Sequence, residues 1–428
     1  MMKRGGFGSI PREERAAVAW AFLYLFSILC GYYTLRPLRD EMGILGGVKN
    51  LKYQFLGTFL VMLAVVPVYS AVVAKFPRRK IIPVVHRFCA ANLLAFLLLD
   101  RFHVSQVWTA RVIFVWVSVF SVFVVSVFWS FMVDTFRVDQ GKRLFGVIAA
   151  GGSAGALAGP ALASVLAKPF GLAGLYVVTA ILLEVGVFCV RRLVDWSRAN
   201  ETGGGTPRAD RAVGGGVFAG FKLALASPYL LAICGMMLAY TISSTVLYAD
   251  QAAIVNASIP NSADRIALFA RIDLGVNALA LVLQGIVTGW ILTGLGLTVA
   301  LCVLPTVTAA GFLGLFAVPG LAMLAVVQVV RRGTQYGLER PSREVLFTAV
   351  TSEEKYKAKS FIDTIVFRGG DAGAIAAYDW VKTLGPPAGA VSAAMLVLCG
   401  AWSALAVFSA RRHAALTRVP RGASEVTT

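Results

Sequence analysis

The stretch LRPLRDEMG (35–43) closes a long apolar run with two guanidinium groups, Arg36 and Arg39, and the carboxylate of Asp40. On a helix, Tyr32, Arg36 and Arg39 share one face, and Asp40 lies four residues beyond Arg36, within pairing reach. Pro37 bends this end of the helix and frees backbone groups there. A second set lies in VVRRGTQYGLERPSREVLFTAV (329–350), where Arg332, Tyr336, Arg340 and Arg343 recur at intervals of four, four and three. Glu339–Arg343 and Arg340–Glu344 are i,i+4 pairs, and Pro341 should kink the helix. A third set comprises Lys359, Asp363, Arg368 and Asp371, and a polar stripe of Arg271, Asp273, Asn277 and Gln284 lies earlier in the chain. Glu184 and Asp250 add isolated acids. Arginine keeps its proton where a desolvated lysine gives it up, and its planar fork matches carboxylate or phosphate oxygens in pairs. These residue types suit the binding of a multiply charged anion; their alternative use is as ion pairs that hold helices together.

The elements carrying these cations are apolar. Of 428 residues, 58% are hydrophobic and 14% charged, with apolar runs of about twenty residues from end to end. This is the composition of a polytopic all-α membrane protein, and it excludes a soluble one. MMKRGGFGSIPREER leads into a full-length span rather than a cleavable leader. Six cysteines and three histidines are dispersed, so no metal-ligand set is evident. No nucleophile–base constellation suggests catalysis, and nothing calls for a cofactor. The net charge of +18 follows membrane topology rather than a nucleic-acid surface.

Apolar segments centre near 16–38, 51–73, 81–99, 106–133, 144–166, 171–191, 226–249, 265–290, 297–315, 320–349, 360–383 and 388–409, an expectation of twelve spans. With a cytoplasmic N-terminus, the inner connections and both termini hold 24 Lys and Arg. The outer side holds six: Lys49, Lys52, Arg101, Lys168, Arg265 and Lys382. That asymmetry places both termini in the cytoplasm. Apart from Lys222 on a short interfacial stretch, the remaining nine cations fall in or at the edges of spans, and all are arginine: Arg36, Arg39, Arg111, Arg271, Arg331, Arg332, Arg340, Arg343 and Arg368. Each costs about 2.5–3.5 kcal/mol at a helix centre, so they need partners or a polar cavity.

SRANETGGGTPRADRAVGGG (197–216) is the one long Gly- and charge-rich connection. It divides the chain into a six-helix bundle at 1–196, a cytoplasmic linker at 197–216 and a second bundle at 217–428. GGSAGA (151–156) recurs as GGDAGA (369–374), offset by 218 residues and following the corresponding span of each half. This resembles the parallel repeats of major-facilitator-type transporters, with a cavity between two bundles. Gly151, Gly155 and Gly159 have the small-xxx-small spacing of close helix packing.

LRPLRDEMG resembles the first-span motif of the ATP/ADP translocases, the nucleotide transporters of plastids and intracellular bacteria, and is closer to their divergent free-living bacterial branch. Arg39 stands where that family has lysine, and Asp40 is retained. FWSFMVDTFRVDQGKRLFG (128–146) is similar to the fourth-span motif, keeping Trp129, Phe131, Lys142 and Arg143, with Val133 and Asp134 in place of Asn-Gln. RPSREVLFTAVTSEEKYKAKSFID (340–363) matches most specifically, through Pro341, Glu344, Lys357, Lys359 and Asp363, with Arg343 replacing lysine.

The resemblance implies exchange of a nucleotide or other organic phosphate by a monomeric secondary transporter of a bacterial inner membrane, in contact with membrane lipid. Arg36, Arg39, Tyr336, Arg340, Arg343, Lys359 and Arg368 would meet the anion, while Asp40, Glu344 and Asp363 orient those cations. Arg271, Asp273, Asn277 and Asp371 would line a polar cavity, and Lys142 with Arg143 would form a cytoplasmic gate. The alternative is a proton-coupled exporter of a small amphiphile, driven through Asp40, Glu184, Asp250 or Asp273.

Overall fold

In hydrocarbon a chain satisfies its backbone N–H and C=O groups by coiling, and the apolar runs do so throughout. The computed structural model describes residues 11–75, 78–199, 227–351, 354, 358–359, 361–387 and 389–418. The helices are α1 Arg12–Leu45, α2 Leu51–Lys75, α3 Arg78–Arg101, α4 Gln106–Thr135, α5 Val138–Ala199 and α6 Pro228–Ser258. They continue as α7 Ser262–Val282, α8 Gly296–Ala317, α9 Leu321–Thr334, α10 Arg340–Leu346, α11 Gly370–Thr383 and α12 Ala390–Arg418.

Among the described residues eight helical segments are long and apolar enough to cross a membrane, and the chain is a multi-pass membrane protein. Two of the eight are about twice the length of the others. Arg143–Ala199 turns at Gly171, whose φ of +56° is a conformation glycine adopts freely. Ser262–Ala317 turns at Gly296, with φ +85°. The expected fifth and sixth spans, and the eighth and ninth, meet at these two points. The segments expected as tenth and eleventh spans are helical among the described residues, but their charges keep them outside the eight.

The described residues form two compact units. The first holds the residues before the expected linker together with 256–274; the second holds the rest. The linker, at 197–216, lies outside the described residues beyond Ala199, as does Lys222.

In the first unit α1 packs along α5. A Cβ on Gly151, Gly155 or Gly159 would come within 2.4–2.5 Å of the carbonyl oxygens of Phe22, Phe26 and Cys30, so the small-residue stripe permits backbone-to-backbone approach. At one end Arg143 and Gln140 both bond Glu14, and the Trp196 indole donates to the Glu13 carbonyl. At the other, Lys168 meets Asp264 at 2.9 Å, and Arg111 donates to the Gly46 carbonyl that closes α1.

The core of the second unit gathers Tyr229, Ile233, Met237 and Tyr240 of α6, Leu301 and Leu304 of α8, Leu346 of α10 and Trp402 of α12. Between α9 and α10 the backbone widens into a π turn at Gln335–Glu339, just ahead of Pro341. Proline has no N–H for the carbonyl four residues back, that of Gly337. Thr288 supplies the missing donor, its hydroxyl 2.6 Å from the Gly337 oxygen.

Candidate functional site

The cations expected to carry function occur in both units. In α1, Arg36 ion-pairs with Asp273 at 3.4 Å, and Arg39 with Asp40 at 3.2 Å. Arg39 also donates through Nε to the Ser118 hydroxyl at 2.7 Å and lies 4.1 Å over the Phe114 ring. Phe114 and Ser118 are one turn apart on α4, so this helix fixes the guanidinium plane. The Arg36 and Arg39 side chains keep 16% and 18% exposure, whereas Asp273 is 1% exposed. Each guanidinium is therefore oriented by a buried acid while part of its side chain stays accessible. Asp273 thus belongs with Arg36, while Arg271 of the same stripe is exposed and Asn277 is buried.

The sequence reading missed the strongest pair in this unit. Arg265, expected in an outer connection, is buried and grips the fully buried Glu41 by two charge-assisted bonds of 2.6 and 2.7 Å. Its remaining nitrogen caps the carbonyls of Ile259 and Pro260 at 3.0 and 3.1 Å. The one available signal was Glu41 itself, an acid inside an apolar helix whose i±4 neighbours, Pro37 and Leu45, are not basic.

In the second unit the expected Glu339–Arg343 pair forms at 3.7 Å, and Arg343 also contacts the Met237 sulfur at 2.7 Å. The expected Arg340–Glu344 pair does not form. Glu344 holds Lys359 instead, at 2.7 and 2.9 Å from its two oxygens, and Arg340 is exposed and in no ion pair among the described residues. The π turn breaks the regular spacing just before Arg340: Arg332 and Arg343 are buried, Tyr336 is half-buried and Arg340 is exposed.

Arg368 pairs with Asp371 at 3.8 Å, and Asp371 accepts from the Thr245 hydroxyl at 2.8 Å. Tyr378 donates its hydroxyl to Asp250. The side chains of Asp363 and Lys142 lie outside the described residues. Arg143 bonds both oxygens of Glu14 at 3.1 and 3.4 Å. The echo of GGSAGA does not repeat its packing: a Cβ on Gly373 would meet nothing, and it is Gly370 that approaches Thr241 of α6.

Two helical units with arginines set into apolar segments make up a fold that solved membrane transporters share. The comparisons agree on the fold. An auto-inhibited POT-family peptide transporter superposes with a TM-score of 0.63 at 12% identity, over 98% of this chain and 99% of that one. A bacterial homologue of the iron transporter ferroportin, in an inward-facing state, gives 0.63 at 11% identity over 96% and 100%. A mutant of the nucleoside transporter NupG gives 0.57 at 13% identity over 94% and 99%. No protein-family model matches the sequence, and no curated protein matches it.

Proposed function

We infer that this chain is a secondary transporter of an organic polyanion, working by alternating access through twelve spans, with exchange of nucleoside tri- and diphosphates as the leading cargo. The observation that carries this reading is the state of Arg36 and Arg39: guanidinium groups inside an apolar helix, oriented by carboxylates yet left 16% and 18% exposed. Such groups offer paired donors to a carboxylate or phosphate. Arg340, Arg343, Lys359 and Arg368 are the further contacts proposed, with Tyr336 beside them. The nucleotide assignment rests on the resemblance of the first-span, fourth-span and RPSRE motifs.

Three of the four acids that could drive a proton-coupled exporter are held by guanidinium groups: Asp40 by Arg39, Asp273 by Arg36 and Glu184 by Arg87. Asp250, bonded by Tyr378, remains for that role.

The test is a melting series on the purified protein. Nucleoside triphosphate and diphosphate should raise the melting temperature more than the monophosphate, and the nucleoside least, with larger shifts at low salt. Equal shifts across the series would remove charge as the basis of recognition. The proposed orientation is checked by cysteine labelling: Ser197→Cys should react only from the cytoplasm and Ser262→Cys only from outside, and the reverse pattern would invert the topology.

A further inference from the structure

VFCVRR (187–192), near the end of α5, recurs as VFSARR (407–412), near the end of α12, offset by 220 residues. In both copies the two arginines and the phenylalanine are exposed, Phe188 at 46% and Phe408 at 45%. The surroundings differ. In the first copy the Arg192 guanidinium lies 5.1 Å over the Phe188 ring, Trp20 packs edge-on to the same ring, and Asp195 follows Arg191 by one turn. In the second, α12 carries no acid over its whole length. Neither Arg411 nor Arg412 has a hydrogen bond, ion pair or ring contact among the described residues.

The helix has two faces. Trp402, Ala406 and Ala410, one turn apart, are buried in the core of the second unit, and His413 continues that side with Nε2 3.2 Å from the Thr348 hydroxyl. The other face holds an open hollow of about 590 Å³, lined by Ala404, Val407, Phe408, Arg411, Arg412 and Ala415. Its apolar lining lies toward the middle of the helix and its two cations toward the end. This order suits an amphiphile: an acyl chain covers Val407 and Phe408, and phosphate oxygens accept from the guanidinium forks. A zwitterionic headgroup brings a cation of its own to two unpaired arginines, whereas an anionic one does not. Free phosphate would leave the apolar part of the hollow uncovered.

We propose that the hollow on α12 binds an anionic phospholipid, its phosphate held by Arg411 and Arg412 and an acyl chain laid along Val407 and Phe408. The first copy of the motif, with Arg192 stacked and an acid one turn on, is ordinary membrane-surface charge. Because the opposite face of α12 packs in the core of the second unit, the bound lipid stabilises that unit. None of these residues is assigned to cargo, so the site stands apart from the polyanion reading.

The test is the melting temperature of the purified, nucleotide-free protein in detergent as phosphatidylglycerol or phosphatidylcholine is added at constant ionic strength. Phosphatidylglycerol should give a saturable rise of several degrees, and phosphatidylcholine or inorganic phosphate little or none. Arg411→Gln/Arg412→Gln should lose most of the rise, while Arg191→Gln/Arg192→Gln, which removes the same charge, should keep it. Equal rises with the two lipids would overturn the proposal, as would an equal response to inorganic phosphate, the mark of a free-anion site. Equal losses in the two double variants would overturn it as well, reducing the effect to surface charge. Should Arg411→Gln/Arg412→Gln fail to fold, Ala415→Glu, which sets a carboxylate at the edge of the hollow, should raise the lipid midpoint at least threefold, and an unchanged midpoint overturns the proposal alone.

Discussion

Glu41 and Arg265, 224 residues apart, meet in a two-pronged buried ion pair with both N–O distances under 2.8 Å. This pair, Arg36–Asp273 and Lys168–Asp264 bind the segment 262–273 into the first unit, although most of α6 before it belongs to the second. Removing one partner leaves the other charge buried alone, which costs about 3–5 kcal/mol. Glu41→Gln and Arg265→Met should each lower the melting temperature sharply. The double variant Glu41→Gln/Arg265→Met should be more stable than Arg265→Met alone, and a simple sum of the two losses would show that the pair is not coupled.

That the chain is a multi-pass helical membrane protein was legible in its sequence because the length of an apolar run is a local quantity. So were the close approach at Gly151, Gly155 and Gly159 and the disturbance at Pro341, since each follows from residue type at fixed spacing. Partner choice was not legible. Spacing arguments see only i,i+4 neighbours, which captured Glu339–Arg343 but assigned Arg340 to Glu344, when Lys359 reaches Glu344 from fifteen residues further on. Arg265 was read as an outer connection because nothing near it in sequence hints at Glu41.

The two glycine motifs should respond differently to the same change. Gly155→Ala places a methyl group 2.5 Å from the Phe26 carbonyl and 2.9 Å from the Cys30 nitrogen, which forces α1 and α5 apart, at about 1–3 kcal/mol. Gly373→Ala enters open space and should leave melting unchanged or slightly raised. Melting curves of the two variants, measured side by side, check this; similar losses in both would contradict the packing described.

Arg36 has two separable roles, toward Asp273 and toward cargo. Arg36→Gln should lower stability by leaving Asp273 without its cation, and adding Asp273→Asn should restore melting without restoring nucleotide binding. Recovery of binding in the double variant would reduce Arg36 to a structural residue.

Lys359 and Glu344 are 38% and 40% exposed, so their ion pair contributes at most about 1 kcal/mol to stability. Lys359→Met should therefore melt with the unmodified protein while weakening nucleotide binding at least tenfold. Unchanged binding in a folded Lys359→Met would remove this residue from the site.

Anion exchange itself is tested most directly in liposomes containing the purified protein. Labelled ATP outside should enter vesicles preloaded with ADP, enter empty vesicles far more slowly, and fail to enter either with the Arg39→Gln variant. No anion uptake under any loading, with a neutral or cationic compound moved instead by an imposed pH gradient, would contradict the account and return the role to Asp250 and proton coupling.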